Sequence, residues 1–112
     1  MDVVSTPARF EVWLVNFDPT AGTEIRKTRP AVIVSPDEMN RPLRTAIIAP
    51  MTTTLRHWPT RVLIDFQGKS GEVAVDQMRA VDRSRLTRCL GAISTVEQDA
   101  VLAVLAAIFA RE

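Results

Sequence analysis

From Phe10 to Asp18 the chain alternates with apolar residues on both sides. Val12, Leu14 and Asn16 face one way, and Trp13, Val15 and Phe17 the other. Alternation of period two predicts a β-strand, and two largely apolar faces predict one covered on both sides. Asp18-Pro19 breaks it and Gly22 permits a turn. Shorter apolar runs follow between polar, proline-bearing breaks. Ala31 to Val34 predicts a second strand, stopped by Ser35-Pro36; Thr45 to Met51 predicts a third and Thr60 to Phe66 a fourth. "DEMNRPLR" and "TTTLRHWP" are the loops before and after the third strand. "QGKSG" reads as a hairpin connection. Glu72 to Val75 opens a fifth strand that can run on to Val81, and "RCLGAI" is a last short strand.

The period changes in "STVEQDAVLAVLAAIFARE". Ser94 or Thr95 stands at the N-cap, and Glu97, three residues after Ser94, completes the capping-box pattern. Val101, Val104, Leu105 and Ile108 recur at helical spacing, predicting one amphipathic helix with an unusually apolar body. Short strands followed by one helix predict a mainly β fold with α: a small, strongly curved sheet or barrel with a helix packed on it. The polar chemistry then falls on three loops, 18–29, 37–44 and 52–59.

At 112 residues, 46% of them hydrophobic, the chain is expected to form one domain with an adequate core. The single Cys89 excludes an internal disulfide framework and, in a strand, reads as a buried small hydrophobe. The N-terminal segment lacks the basic start and apolar run of a signal peptide, and no uncharged apolar stretch is long enough to span a membrane. A soluble cytoplasmic protein is expected. Net charge is only +1. Its distribution is uneven: between Arg26 and Arg61 the only acids are Asp37 and Glu38, and Arg79, Arg83, Arg85 and Arg88 cluster around Asp82 alone. Basic residues on loops leave either a local positive face or a solvated mixed surface.

One Cys and one His cannot make a tetrahedral metal cage, and the four glycines do not form a phosphate loop. No metal and no cofactor are expected. What remains is arginine and hydroxyl chemistry. Arg29 precedes Pro30, which biases it toward an extended conformation at the mouth of a strand. A guanidinium there offers a planar fork suited to phosphate oxygens. Thr52, Thr53 and Thr54 supply hydroxyls at the exit of the third strand. If the second and third strands are antiparallel neighbours, Arg29 and Thr52 share one end and can clamp a phosphodiester. Alternatively, Arg29 pairs with Glu24 or Asp18 to brace the loop. Trp13 reads as core, whereas Trp58, beside Arg56 and His57 on a basic loop, offers a stacking face. Asp76-Gln77 reads as a loop brace or a base-reading pair.

In order along the chain, "EVWLVNFDPTAGTE", "TRPAVIVS", "APMTTT", "GEVAVDQMRAVD" and the apolar terminal helix resemble the MazF/PemK family of toxin endoribonucleases, over Arg9 to Phe109. The resemblance implies an SH3-like small β-barrel with a C-terminal helix over residues 9–112; residues 1–8 lie outside the pattern and are expected to be a flexible N-terminal extension. It implies a homodimer, metal-independent cleavage of single-stranded RNA at short sequences, and a cognate antitoxin. By position, Arg29 matches the family's catalytic arginine and Thr52 its catalytic threonine or serine. Glu24 matches an acidic residue tied to activity in some relatives, and Asp76 and Gln77 match positions near the substrate. Some relatives carry a histidine where Thr23 stands. Arg56, His57 and Trp58 are then expected to grip flanking nucleotides, and Arg26, Lys27, Arg29, Arg41, Arg44 and Arg56 to line one groove, with Thr23 and Thr53 beside them. An acidic and apolar disordered tail of the antitoxin would cross that groove. The alternative of another class is a gyrase-binding toxin of the same fold, of the CcdB kind, without nuclease activity.

Overall fold

The computed structural model describes residues 6–17 and 28–111. Among the described residues, seven strands and two α-helices follow one another: β1 (Glu11–Asn16), β2 (Thr28–Ile33), α1 (Asp37–Asn40), β3 (Thr45–Thr52), β4 (Arg61–Phe66), β5 (Lys69–Ala74), β6 (Arg79–Asp82), β7 (Leu86–Ala92) and α2 (Thr95–Phe109). The sheet runs β4-β5-β3-β2-β1-β7, every pairing antiparallel, with β6 also paired to β3. It is a curled half-barrel carrying one long helix, as the sequence pattern predicts.

β3 causes the curl. It is the longest strand, and one of its edges is shared by two partners: Thr45 to Ile48 pair with β6, Met51 and Thr52 with β5. Strand five was expected to continue to Val81. Instead a single 3-10 turn, Val75–Gln77, interrupts it and the chain restarts as β6. The interruption lies opposite Pro50, which has no N–H to give a continuous ladder. Two irregularities in the β1–β7 ladder, near Val12 and Leu14, add further bend.

β1 is covered on both sides, as its two apolar faces require. Val12 joins a cluster with Val32, Val73, Ile93 and Val101 of α2. Trp13 and Val15 point into a second cluster with Ala31, Ile33, Ile48 and Val81. α2 begins with the full capping box, Ser94 and Glu97 exchanging side-chain and backbone bonds. Val101 is buried, and Val104, Leu105 and Ile108 pack on the first cluster. Val96 and Phe109 remain more than 70% exposed.

Three expectations need correction. "DEMN" is not loop but the one-turn helix α1: Pro36 sets its entry, and the buried Asn40 amide donates to the Ser35 carbonyl at 2.9 Å. Cys89 is exposed, because it lies on the open face of the outer strand β7; its thiol donates to the Gly91 carbonyl at 3.7 Å. Pro7 is fully buried, so the chain packs on the domain before Arg9. Among the described residues no helix is long and apolar enough to cross a membrane.

Candidate active site

β2 and β3 are antiparallel neighbours, with Ala31 opposite Pro50. Two residues outward on each strand stand Arg29 and Thr52, so the ladder brings them to one end of the sheet. Arg29 is held on its other side by pairing with Val15 of β1. Its side chain is exposed. The Thr52 hydroxyl accepts the Thr54 N–H at 3.0 Å, which orients the oxygen and leaves its own O–H to donate.

β5 crosses close to Thr52 because residue 71 is glycine. A Cβ there would stand 2.6 Å from the Thr52 carbonyl oxygen, nearer than any real Cβ approaches. The β4–β5 hairpin turns through Gln67 and Gly68, both with positive φ (52° and 79°), the geometry of a tight two-residue turn.

Two adjoining clefts open around this strand end. One, of about 450 Å³, is lined by Arg29, Thr52, Thr54, Arg56, Arg61, Gln77 and Arg79, floored by Phe17, Pro50 and Met51. The other, of about 470 Å³, shares Arg29 and Thr52 and adds Thr53, Lys69 and Ser70 beside apolar Ile64, Phe66 and Leu90. Strand ends bring the cationic groups of the first cleft together: Arg29 from β2, Arg79 from β6, and Arg56 from the loop after β3.

That loop is tied to a buried carboxylate. Glu72 has no exposed surface. It accepts the Arg56 N–H at 3.1 Å on both oxygens and the His57 N–H at 2.9 Å, and Arg61 Nη1 donates to it at 3.4 Å. The Arg61 side chain is itself only 5% exposed, and its Nε donates to Asp76 at 2.8 Å. Thr60 donates to the same Asp76 oxygen at 3.0 Å. Burial pushes the Glu72 carboxyl up, but the His57 and Arg56 N–H groups and Arg61 outweigh it, so the net direction is below the ordinary carboxylate range. The Arg61 hydrogen bond likewise holds Asp76 low despite its partial burial. In turn, the bond to Asp76 raises the Arg61 guanidinium above its ordinary value.

The structure therefore brings Arg29, Thr52, Thr53, Arg56 and Gln77 to one surface. Asp76 acts as a brace through Oδ1, which accepts from both Arg61 and Thr60. Trp58 is half exposed, and Arg61 lies over its ring at 4.7 Å and Arg56 at 5.5 Å. His57 is exposed with a left-handed backbone (φ 57°). Arg41 and Arg44 do not join the clefts: their loop feeds the start of β3, and Thr52 stands at its far end. Arg44 instead pairs with Asp82 at 3.5 Å. Thr23, Glu24, Arg26 and Lys27, with the alternative partner Asp18, lie outside the described residues. Sequence reading passed over Glu72, Arg61 and Arg79.

A curled half-barrel whose strand ends hold an arginine and a hydroxyl in a cationic cleft defines a small protein suited to an anionic, phosphate-bearing ligand. Residues 8–109 match the family model described as PemK-like, MazF-like toxin of type II toxin-antitoxin system. Endoribonuclease PemK of Escherichia coli is 40% identical over 79 residues, 66% of this chain and 59% of that protein, so the match spans less than two thirds of PemK's length. Endoribonuclease MazF9 of Mycobacterium tuberculosis is 33% identical over 99 residues, 80% of this chain and 84% of that protein. A crystal structure of MazE-MazF from Deinococcus radiodurans superposes with a TM-score of 0.80 at 28% identity, covering 93% of this chain and 96% of that one. The chain belongs to the PemK-like, MazF-like toxin family of type II toxin-antitoxin systems.

Proposed function

We propose that this chain is a toxin endoribonuclease that cuts single-stranded RNA at short sequences, using the RNA's own 2′-hydroxyl and no metal ion, and that a cognate antitoxin inhibits it. The observation that carries the reading is the meeting of Arg29 and Thr52 on adjacent strand ends inside an arginine-lined cleft. The relatives named as endoribonucleases support the reaction class.

In the reaction the 2′-oxygen bonds to the adjacent phosphorus as the bond from phosphorus to the 5′-oxygen breaks. The 2′-hydroxyl loses its proton to a base, and the leaving 5′-oxygen gains one. The products are a 2′,3′-cyclic phosphate and a 5′-hydroxyl. Negative charge builds on the non-bridging oxygens, where preorganised donors act best. Arg29 supplies a guanidinium fork there, and Thr52 an O–H whose oxygen is already fixed by the Thr54 N–H. A guanidinium pKa is too high for an easy base role, so Glu24 is the reserve candidate for the base. Thr53, Arg56, His57 and Gln77 contact flanking nucleotides, with Thr23, Arg26 and Lys27 on the preceding loop.

The working unit in this reading is a homodimer, supported by apolar surface that α2 leaves uncovered at Val96, Leu102 and Phe109. The antitoxin covers the same cationic cleft with an acidic and apolar disordered tail, which orders on binding. The test is incubation of the purified protein with a long RNA in EDTA, beside the same RNA carrying a 2′-deoxy nucleotide 5′ to the cut. Cleavage of the first and not the second is expected. A strict Mg²⁺ requirement, or cutting of the deoxy analogue, rules the mechanism out; binding without cutting makes the chain a binding toxin. Light scattering at micromolar concentration checks the dimer, and mutual exclusion of antitoxin and non-cleavable RNA checks the shared cleft.

A further inference from the structure

We propose that Glu72 is a positioning residue of the RNA site: its buried carboxylate hangs the loop carrying Arg56 and His57 over the cleft and so sets where Arg56 meets the substrate. The inference deepens the endoribonuclease reading and rests on it.

Arg56 and His57 belong to an exposed segment that pairs with no strand. What fixes their backbone is a single acceptor. Both consecutive N–H groups converge on the Glu72 carboxylate, at 3.1 and 2.9 Å. Two successive amides reach one acid only if the Arg56 backbone between them points both N–H bonds the same way, and the left-handed backbone of His57 (φ 57°) follows directly after the second amide. The acid is fixed in turn. Glu72 pairs with Thr52 in the β3–β5 ladder, so the anchor of the loop sits beside the proposed catalytic hydroxyl. Arg61 bridges Glu72 to Asp76, which fixes the carboxylate from its other side.

Charge explains why a glutamate occupies a fully buried strand position. Its cost is offset only because all its partners donate: two backbone amides and one guanidinium. An apolar side chain would pack there as well but would leave both loop amides unpaired. The arrangement thus exists for the loop, and the loop brings Arg56 to the first cleft.

The test compares wild type with Glu72→Gln and Glu72→Asp in the full chain. Glutamine keeps the length but places an NH2 donor against donating amides; aspartate keeps the charge but is too short to reach both. Both variants are expected to raise KM for RNA about tenfold while kcat changes less than about threefold, because the ladder holds the backbones of Arg29 and Thr52, and the Thr54 N–H that orients the Thr52 hydroxyl lies ahead of the two amides that Glu72 anchors. Affinity for a non-cleavable 2′-deoxy oligonucleotide is expected to fall equally. In wild type, NMR hydrogen exchange should show the Arg56 and His57 amides protected, and this measurement stands even if a variant fails to fold. Unprotected Arg56 and His57 amides, unchanged KM in a folded Glu72→Gln, or full recovery by Glu72→Asp overturns the proposal. A wild type that binds the oligonucleotide but cuts no RNA refutes the endoribonuclease reading alone, since positioning is still read from affinity and exchange.

Discussion

Gly71→Ala adds one methyl group, far smaller than any active-site deletion, yet it should act at the centre of the site. The new Cβ would start 2.6 Å from the Thr52 carbonyl oxygen, and ordinary contact begins at 3.4 Å. Backbone on both sides makes a cheap rotamer escape impossible, so β5 and the end of β3 must part by about 0.8 Å. Glu72 is the next residue on β5 and pairs with Thr52, so this short stretch of ladder carries most of the displacement. Overpacking of this kind costs about 1–3 kcal/mol. For a domain of this size that lowers Tm by several degrees, about 4–8 °C per kcal/mol at the upper estimate.

The catalytic consequence is larger. Misplacement of a reacting group by about 1 Å can lower the rate about 10²-fold. Single-turnover cleavage by Gly71→Ala should therefore slow by about 10–10²-fold while circular dichroism shows a folded protein. Thermal melting measures the stability cost in the same sample. A variant that melts lower but cleaves at the wild-type rate would show that the end of β3 need not be held still, and the role assigned to Thr52 would fall. A variant unchanged in both would mean that the close approach of β5 is absent in solution.

Arg29→Ala and Thr52→Ala should each lose about 10²–10³ in kcat and stay folded, since both stand at strand ends outside the buried core; near-wild-type turnover in either shows a misplaced site. Glu72 and Asp76 are held below their ordinary values of 4.5 and 3.8, so the stability they contribute is fully present above those values and is lost as pH falls through the lower folded ones. The Tm difference between wild type and Glu72→Gln should accordingly shrink on acidification below about pH 4, and a difference that grows there contradicts the assignment. In binding to a non-cleavable oligonucleotide, Arg79→Ala should flatten the dependence of log K on log salt by about 0.7, whereas Arg44→Ala should leave it unchanged; equal effects would mean that the cleft is not the binding face.

Much of this was legible in the sequence wherever period and turn chemistry agreed. "QGKSG" reads as a hairpin connection; only its first two residues, Gln67 and Gly68, make the turn, β5 starts already at Lys69, and that turn sets the whole β4–β5 register. Ser94 and Glu97 mark the start of α2 to within one residue, and of the two N-cap candidates, Ser94 and Thr95, the structure takes Ser94. Arg29 and Thr52 could be placed at one end because antiparallel neighbours of known length leave few registers open. Glu72 was not legible in the same way. A glutamate opening a strand reads as solvent-facing, since carboxylates are seldom fully buried. The available signal was cross-strand: once the hairpin register is set, Arg61 opposite Ala74 lies diagonal to Glu72 on one face of the sheet. Arg41 and Arg44 were misplaced because a charge count along the chain ignores which end of β3 each loop joins. Cys89 was misplaced because residue type was allowed to stand for sheet position, and β7 lies at an edge.

The site is consequently held by two kinds of support that respond to different conditions. Arg29 and Thr52 are fixed by main-chain pairing in a three-strand ladder, β1-β2-β3, whose hydrogen bonds do not titrate. Arg56 and His57 are fixed by an ionised side chain, and Arg61, although it lines the cleft, spends its charge on Glu72 and Asp76. A guanidinium already shared by two carboxylates adds geometry to the cleft but little net attraction for phosphate. The attracting charges of the first cleft are then Arg29, Arg56 and Arg79, on three separate elements. Of these only Arg56 depends on a proton equilibrium. Acid that protonates Glu72 should release that arginine while the ladder holding Arg29 and Thr52 stays in register, so affinity for a non-cleavable oligonucleotide should weaken as pH falls through the lowered Glu72 value.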